Sequence, residues 1–451
     1  MQSKSRCLIA VALLAAFFLL LVPSVSAAGA QQPDVTEASA VYFYHLESKR
    51  VMCEKNAETV LPAGSTVKIL AGLIACERLS LQLGEEITVT QEMLQGAKGY
   101  QYGNLLNRTY TVQDLLYLAI CGSYNNAYVA LAYLIGGGSV DAFVEQMNQK
   151  AKALGAQNTT VGEPCGVEDI SYTTAKDLFC ISLAATENPL YMQISSSAAY
   201  DLSSGARISN RNALISKSEG TKYYNALCKG LSAGESEKGQ TSLATLAQNG
   251  NDRYLCIVLG APKVEIDQTH AEVYSYIVAN RLIQWGYDNY RYLEILTPET
   301  EICALPVTVS DLTETVSIVP DRAFSAYLPA DAQVGREVTY SVRLMYEELE
   351  APVRAGTHVG YVAIVYNGEI LGTVGLYTAQ DAERSPFVSR LLRIRSLTQN
   401  RAVVAGVIFF AVTVLAWIVT EVLVKRRRRH KWDKYFSEKI DLPETILRRK
   451  K

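Results

Sequence analysis

The sequence is poor in the residues on which metal and triad chemistry depends. It has only four histidines, and they are widely spaced along the chain. Its nine cysteines form no CxxC pair and no other metal-ligand spacing, so no zinc site is predicted. No nucleophile-elbow motif accompanies a histidine, so a Ser-His-Asp triad is not indicated. Internal repeats and low-complexity segments are also lacking.

The chain has little excess charge of either sign. Its net charge is −2, with 20% charged and 49% hydrophobic residues, and this composition excludes disorder for the chain as a whole. From Lys425 onward, however, twelve Lys and Arg face four Asp and Glu, which gives the tail about +8. Most of the remaining chain is therefore acidic. Because such a surface does not neutralise phosphates, nucleic acid is not an expected partner.

Residues 1–28 have the pattern of a secretory signal peptide. Lys4 and Arg6 precede an apolar stretch from Cys7 to Val22, and small residues follow at 25–27. The apolar run is short for a membrane span, so we expect cleavage after about Ala27. An uncleaved anchor is the alternative.

A second apolar segment, 402–424, is long enough to cross a hydrocarbon core of about 30 Å. Glu421 is its only charged residue, and five consecutive cations begin at Lys425. Since positive charge stays on the cytoplasmic side, we predict a single-pass protein of the cell membrane. The tail 425–451 would be cytoplasmic and the catalytic region extracytoplasmic. A buried helix of a soluble domain is the alternative.

Cysteine use leaves two interpretations open. Cys7 would leave with the signal peptide, and the eight remaining cysteines would be exported. An even number outside the cell permits disulfides, whereas their wide scatter is equally consistent with small buried apolar residues.

Hydrophobic periodicity divides the exported part into two domains. Residues 36–290 show strands near both ends, at 40–53 and 227–259, with helices between them, and this order predicts an α/β (α+β) domain. Helices are predicted at 65–79, 112–120, 126–134, 142–154, 174–185 and 271–284, the last ended by 285–287. Residues 291–382 show short alternating runs around Asn367-Gly368, a strong hairpin signal, and predict a small all-β sandwich. A juxtamembrane segment at 383–401 completes the division.

Ser65 and Lys68 form the one Ser-x-x-Lys sequence of the chain. Residues three apart share a helix face, so the lysine amine can reach the serine hydroxyl. An amine kept neutral by burial can take the serine proton and so activate the nucleophile. The four-residue pattern is weak alone, because a serine near a helix start and a surface lysine produce it by chance.

A second element, Ser123-Tyr124-Asn125, lies between two predicted helices. The Ser123 hydroxyl could pass a proton between the lysine and a leaving amine, and the Asn125 amide could hold a substrate backbone. Helix capping explains both residues equally well at this level.

Together with their order, these motifs resemble the penicillin-recognising serine enzymes. The branch that the chain resembles is the low-molecular-weight penicillin-binding proteins that act as D-alanyl-D-alanine carboxypeptidases. Further matching segments are 147–156, 165–167, 172–178, 209–212 and 258–262, and the β module with its following anchor also fits that family. The resemblance covers about 40–385.

The resemblance implies a transpeptidase/β-lactamase-like catalytic fold and a serine acyl-enzyme mechanism. Ser65 would attack the carbonyl between the terminal D-alanines of a peptidoglycan stem peptide, with Lys68 as base. Ser123 would help to protonate the leaving group, and Asn125 would bind substrate. Backbone N–H groups of Ser65 and Glu235 would form the oxyanion hole. β-Lactam antibiotics would acylate Ser65, and no cofactor or metal would be required.

The third motif departs from the family's Lys-Thr-Gly. Ser232 and Ala233 stand at the lysine and threonine positions, and only Gly234 is retained. Lys229 is three residues before Ser232, and this odd spacing predicts that it lies on the opposite strand face. The family also uses an arginine after the 260–262 segment to bind the terminal carboxylate; none is present here, so Lys263 or His270 would have to bind it. Losing two charge-assisted hydrogen bonds would weaken transition-state binding by about two to four powers of ten.

Three functions follow from these motifs. The first is a serine-type D-Ala-D-Ala carboxypeptidase, with Ser232, Ala233, Gly234 and Glu235 on the substrate side of the groove. The second is a cell-wall-binding protein of the same fold that lacks activity. The third, β-lactam hydrolysis, is less favoured because it needs neither the anchor nor the β module.

Overall fold

The computed structural model describes residues 31–217, 222–236, 238–267 and 271–439. The predicted signal peptide, His270 and the end of the tail lie outside these residues. Contacts divide the chain into two units. One contains the residues up to Leu293 together with Ser325–Glu337, and the other contains Glu294–Phe324 and the residues from Val338 onward.

The first unit is built on a five-stranded antiparallel sheet. Its strands, in spatial order, are Arg50–Lys55, Ala40–His45, Asp252–Ala261, Thr241–Asn249 and Cys228–Glu235. The central strand reads Tyr-Leu-Cys-Ile-Val-Leu at 254–259 and is buried on both faces. A strand without a polar face must be covered by helices on both sides, and this is what the structure shows.

Most helices cover one face of this sheet, and a single long one covers the other. The Lys68–Leu79 helix lies at the centre of the larger core, because only Glu77 and Arg78 among its residues are exposed. The helix on the other face is Tyr274–Asn289. The remaining helices of the unit are Val112–Ile120, Asn125–Ile135, Val140–Ala153, Ala175–Thr186 and Pro189–Ser196. The predicted α/β (α+β) class is confirmed.

Side-chain caps set where several of these helices begin. Thr111, Ser139 and Thr174 each accept a hydrogen bond from the backbone N–H three residues later. An N-cap of this kind contributes about 1 kcal/mol and satisfies an N–H group that has no partner within the helix.

Two helix predictions need correction. The predicted 65–79 helix begins as a 3₁₀ turn, Gly64–Val67, and becomes α-helical only at Lys68. The helix expected at 271–284 starts at Tyr274 and continues to Asn289. The prediction that Trp285-Gly286-Tyr287 ends this helix is therefore wrong. Gly286 packs closely against Tyr254 and Phe43, so this glycine serves helix–sheet packing and does not end the helix.

The second unit contains an all-β domain, as predicted. Six strands form one sheet in the spatial order Val338–Leu344, His358–Tyr366, Glu369–Thr378, Thr315–Pro320, Cys303–Thr308 and Leu349–Glu350. The predicted hairpin turns at Asn367 and Gly368, which have φ of 49° and 87°. Positive φ at both positions is the requirement that makes Asn-Gly a hairpin signal.

Two consecutive helices follow, Pro386–Gln399 and Arg401–Lys439. The second is the one helix among the described residues that is long and apolar enough to cross a membrane, over Arg401–Tyr435. It contains the predicted segment 402–424.

All eight cysteines beyond residue 30 are free thiols, and six of them are buried. Of the two interpretations that the sequence left open, the structure shows the second.

Candidate active site

The candidate nucleophile lies where the 3₁₀ turn meets the edge strand of the sheet. Ser65 packs against Gly234, where an added Cβ would stand only 2.6 Å from the Ser65 hydroxyl oxygen. The Ser232 hydroxyl donates to the Ser65 carbonyl at 3.4 Å. The Ser-Ala-Gly segment therefore forms the wall against which Ser65 is held, although two of its three residues differ from the expected motif.

Lys68 is directed inward and not toward bulk water. Only 4% of the residue is exposed, and its Nζ donates to both the hydroxyl and the carbonyl of Ser123 at 3.0 Å. The amine also lies 5.5 Å from the centre of the Tyr128 ring. The surface-lysine interpretation of the motif is therefore wrong.

Burial changes the acid–base behaviour of this amine. Desolvation lowers the pKa of Lys68 from its ordinary value of 10.5 to about 8; Cys165 and Glu163 oppose the shift and Arg211 adds to it. An ammonium group loses its hydration when it is buried, so the neutral form is favoured. Near neutral pH a useful fraction of Lys68 is therefore the free base.

Ser123 is held in a conformation that serine seldom adopts. Its φ is 57°, in the left-handed region, and it lies in the turn between the helices Val112–Ile120 and Asn125–Ile135. Such backbone strain persists only where surrounding contacts enforce it. Here the two hydrogen bonds from Lys68 fix the hydroxyl and the carbonyl together.

Asn125 opens the second of these helices but does not cap it. The N-cap position is Tyr124, which makes no side-chain capping bond. The Asn125 amide instead donates to the Lys98 carbonyl at 2.7 Å, and its Oδ1 is buried without a hydrogen-bond partner. A buried acceptor without a partner costs roughly 1–3 kcal/mol, so the position suits an N–H donor of a ligand.

These residues line one cavity of about 540 Å³. Its walls include Ser65, Lys68, Ser123, Asn125 and the segment 233–236, so the structure brings together the residues singled out from the sequence. Ser232 is not among the lining residues and contacts the Ser65 carbonyl. A β-bulge at the left-handed residues Gly230 and Leu231 interrupts the strand just before this segment. Ser232 pairs with Ala244 and Lys229 with Leu246, so the bulge places Lys229 and Ser232 on the same strand face, and the opposite-face prediction is wrong. Lys229 nevertheless donates to the Ala226 carbonyl and is not among the lining residues.

Sequence reasoning did not assign the lining residues Arg211 and Tyr100, and it named Lys263 and Glu235 without predicting their contact. Arg211 lies 4.3 Å over the Tyr100 ring, and Lys263 pairs with Glu235 at 3.0 Å. Arg211 lies in the 209–212 segment that resembles the family, and this resemblance could have marked it as a site residue. Tyr100 had no signal, because only the folded chain brings its loop beside Asn125. No group of three or more His, Cys, Asp or Glu within the described ranges could hold a metal ion.

Comparison with known proteins identifies the family of this chain. A family model described as D-alanyl-D-alanine carboxypeptidase matches residues 26–263, and one described as penicillin-binding protein 5, C-terminal domain, matches 305–384. The D-alanyl-D-alanine carboxypeptidase DacC of Escherichia coli is 25% identical over 83% of this chain and 92% of its own length.

A D-alanyl-D-alanine endopeptidase of Escherichia coli is 31% identical, but over 38% of this chain and 54% of that protein. Among solved structures, penicillin-binding protein 5 of Haemophilus influenzae aligns with a TM-score of 0.55 at 23% identity, over 79% of this chain and all of that one. The carboxypeptidase model alone spans more than half of the sequence, and the chain belongs to the D-alanyl-D-alanine carboxypeptidase family of low-molecular-weight penicillin-binding proteins.

Proposed function

We propose that the protein is a serine-type D-Ala-D-Ala carboxypeptidase that acts on peptidoglycan stem peptides and is covalently inhibited by β-lactams. The observation that carries this proposal is the buried Lys68 amine, 3.0 Å from the Ser123 hydroxyl and lining the same cavity as Ser65. A solvated surface lysine would keep its ordinary pKa, whereas desolvation beside the Ser123 hydroxyl lowers the pKa of Lys68 and lets it act as a base.

In the proposed first step the Ser65 oxygen bonds to the carbonyl carbon of the penultimate D-alanine. The Ser65 proton passes to neutral Lys68, and the carbonyl oxygen becomes an oxyanion near the backbone N–H groups of Ser65 and Glu235. The carbon–nitrogen bond then breaks, and a proton delivered from Lys68 through Ser123 makes the leaving group a neutral amine. Water attacks the resulting ester, which restores the serine and releases the shortened peptide.

Asn125 would orient the substrate on the acyl side of the scissile bond. Its buried Oδ1 can accept from a peptide N–H, while its amide nitrogen stays on the Lys98 carbonyl. Ser232, Ala233 and Gly234 would form the opposing wall, with less capacity to bind a carboxylate than a lysine and a threonine would have.

The membrane placement is part of the same proposal. The Arg401–Tyr435 helix would anchor the chain once, with the cations from Lys425 to Arg429 on the cytoplasmic side and the catalytic domain outside. The proposal also includes the domain division predicted from the sequence, with a catalytic domain at 36–290 and a β domain at 291–382.

The second candidate is a cell-wall-binding protein without activity, which the Ser232 and Ala233 replacements favour. Labelling of the detergent-solubilised protein with a fluorescent penicillin separates the two. Label that is present on the wild type and absent from Ser65→Ala supports the enzyme, whereas no label on either protein supports the binder. Release of D-alanine from a pentapeptide then separates turnover from penicillin trapping.

A further inference from the structure

A carboxylate stands on the groove wall next to the candidate nucleophile. Glu235 ends the Cys228–Glu235 strand and directly follows Gly234, against which Ser65 packs. Its Oε2 lies 3.0 Å from Nζ of Lys263, at the start of the neighbouring Lys263–Glu265 strand. Both residues line the cavity. The cation on this wall is therefore paired with an anion of the protein.

The other two cations among the described lining residues have different surroundings. Lys68 is buried and donates to Ser123, and as the proposed base it must be neutral when it acts. Arg211 lies over the Tyr100 ring, and its backbone N–H donates to the Cys121 carbonyl, which places it beside the Ser123 loop. Among these three cations, only Lys263 is paired with a carboxylate in the contacts described above.

This ion pair affects which leaving group the site accepts in the acylation step. In a peptide that ends in free D-alanine, a carboxylate lies one residue beyond the attacked carbonyl, within about 4–5 Å of it. To pair with Lys263 that carboxylate must displace Glu235 or share the ammonium group with it, and in both cases the charge of Glu235 remains beside it. A leaving group without a carboxylate meets no such repulsion. One like-charge contact at this distance, partly screened, is worth about a factor of ten.

We propose that Glu235, through its pairing with Lys263, selects D-alanyl amides whose leaving amine carries no free carboxylate. The preferred substrates are then peptides whose leaving amine carries a carboxamide in place of the carboxylate, or is a side-chain amine, as in a cross-link. A free D-alanine terminus is cleaved more slowly. This inference rests on the acyl-transfer function proposed above and narrows its substrate class.

The test compares two acylated peptides that differ only at the end, D-Ala-D-Ala with a free carboxylate and the same peptide as its carboxamide. The ratio of their kcat/KM values is measured for the full chain in detergent, for the wild type and for Glu235→Gln. The substitution keeps the backbone N–H and frees Lys263. We expect the ratio of amide to acid to fall about tenfold in the variant.

The matched control is Glu77→Gln. It removes the carboxylate of a different ion pair of similar exposure, Glu77–Lys150 at 2.7 Å. Neither residue lines the cavity, so the ratio of amide to acid should stay unchanged. An unchanged ratio in Glu235→Gln would overturn the inference. So would a ratio that shifts only in Arg211→Gln, because Arg211 would then be the carboxylate anchor.

A failure of the proposed function would look different. If no variant cleaves either peptide, their affinities for Ser65→Ala, with and without Glu235→Gln, still decide the inference. Tighter binding of the carboxamide that is lost with Glu235→Gln supports charge selection, and equal binding of both peptides contradicts it. Absence of turnover by itself counts only against the enzyme.

Discussion

The rate of serine acylation should follow the protonation of Lys68. Burial lowers the pKa of this amine to about 8, and only the neutral form can accept the Ser65 proton. The neutral fraction is then about one-hundredth at pH 6, one-tenth at pH 7 and one-half at pH 8. The acylation rate should therefore rise about tenfold per pH unit below 8 and level off above it.

The assay is the second-order rate of labelling by a fluorescent penicillin between pH 6 and 10. Lys68→Met should abolish the labelling. Lys68→Arg keeps a charge but has no neutral form in this range, so it should also be inactive. A rate that does not change with pH, or labelling that persists in Lys68→Met, would refute the role of Lys68 as the base.

The same shift has a consequence for stability. The folded-state pKa of about 8 lies below the ordinary value of 10.5, so between these pH values the unfolded chain binds more protons. The contribution of Lys68 to the free energy of unfolding is therefore least favourable below pH 8 and improves as the pH rises toward 10.5. The unfolding temperature of the wild type, measured relative to Lys68→Met, should therefore rise from pH 8 to pH 10, and a difference that does not change with pH would contradict this account.

Three further predictions concern the site walls and the core. Gly234→Ala should reduce penicillin labelling at least about a hundredfold, because the added Cβ collides with Ser65. The control Gly84→Ala should not reduce it, since Gly84 has open space around it. Equal labelling of the two variants would contradict the packing of Ser65 against Gly234. Ser232→Lys combined with Ala233→Thr should raise kcat/KM for a peptide with a free terminal carboxylate by at least about tenfold, and an unchanged or lower value would show that these positions do not limit the reaction. Asp177→Ala should lower the free energy of unfolding by about 2–3 kcal/mol, because the buried carboxylate accepts hydrogen bonds from the Asn158 N–H and the Thr159 hydroxyl. Asp201 is exposed, so Asp201→Ala should change this free energy by less than about 0.5 kcal/mol. Denaturant titration measures both variants.

Much of the fold was predictable because its signals are local. The Val112–Ile120 helix is observed with its predicted limits, since Thr111 caps it and every third or fourth residue is apolar. The Asn367-Gly368 turn was equally predictable, because its requirement for positive φ is met by few residue pairs. Predictions erred where packing overrode local signals, as at Gly286.

The site itself was predictable only in part. Spacing indicated that Ser65 and Lys68 share a helix face, but not that Lys68 is buried or that it contacts Ser123. That contact joins residues 55 positions apart and depends on the left-handed conformation of Ser123. The Glu235–Lys263 pair likewise forms only when two strand ends meet, and no pattern in a single sequence reports it.

The most direct test of the central claim is the intact mass of the purified protein after incubation with benzylpenicillin at pH 8, followed by peptide mapping. The account predicts a mass increase of one penicilloyl group, located on Ser65 and absent from Ser65→Ala. An unchanged mass, or an adduct on another residue, would contradict it.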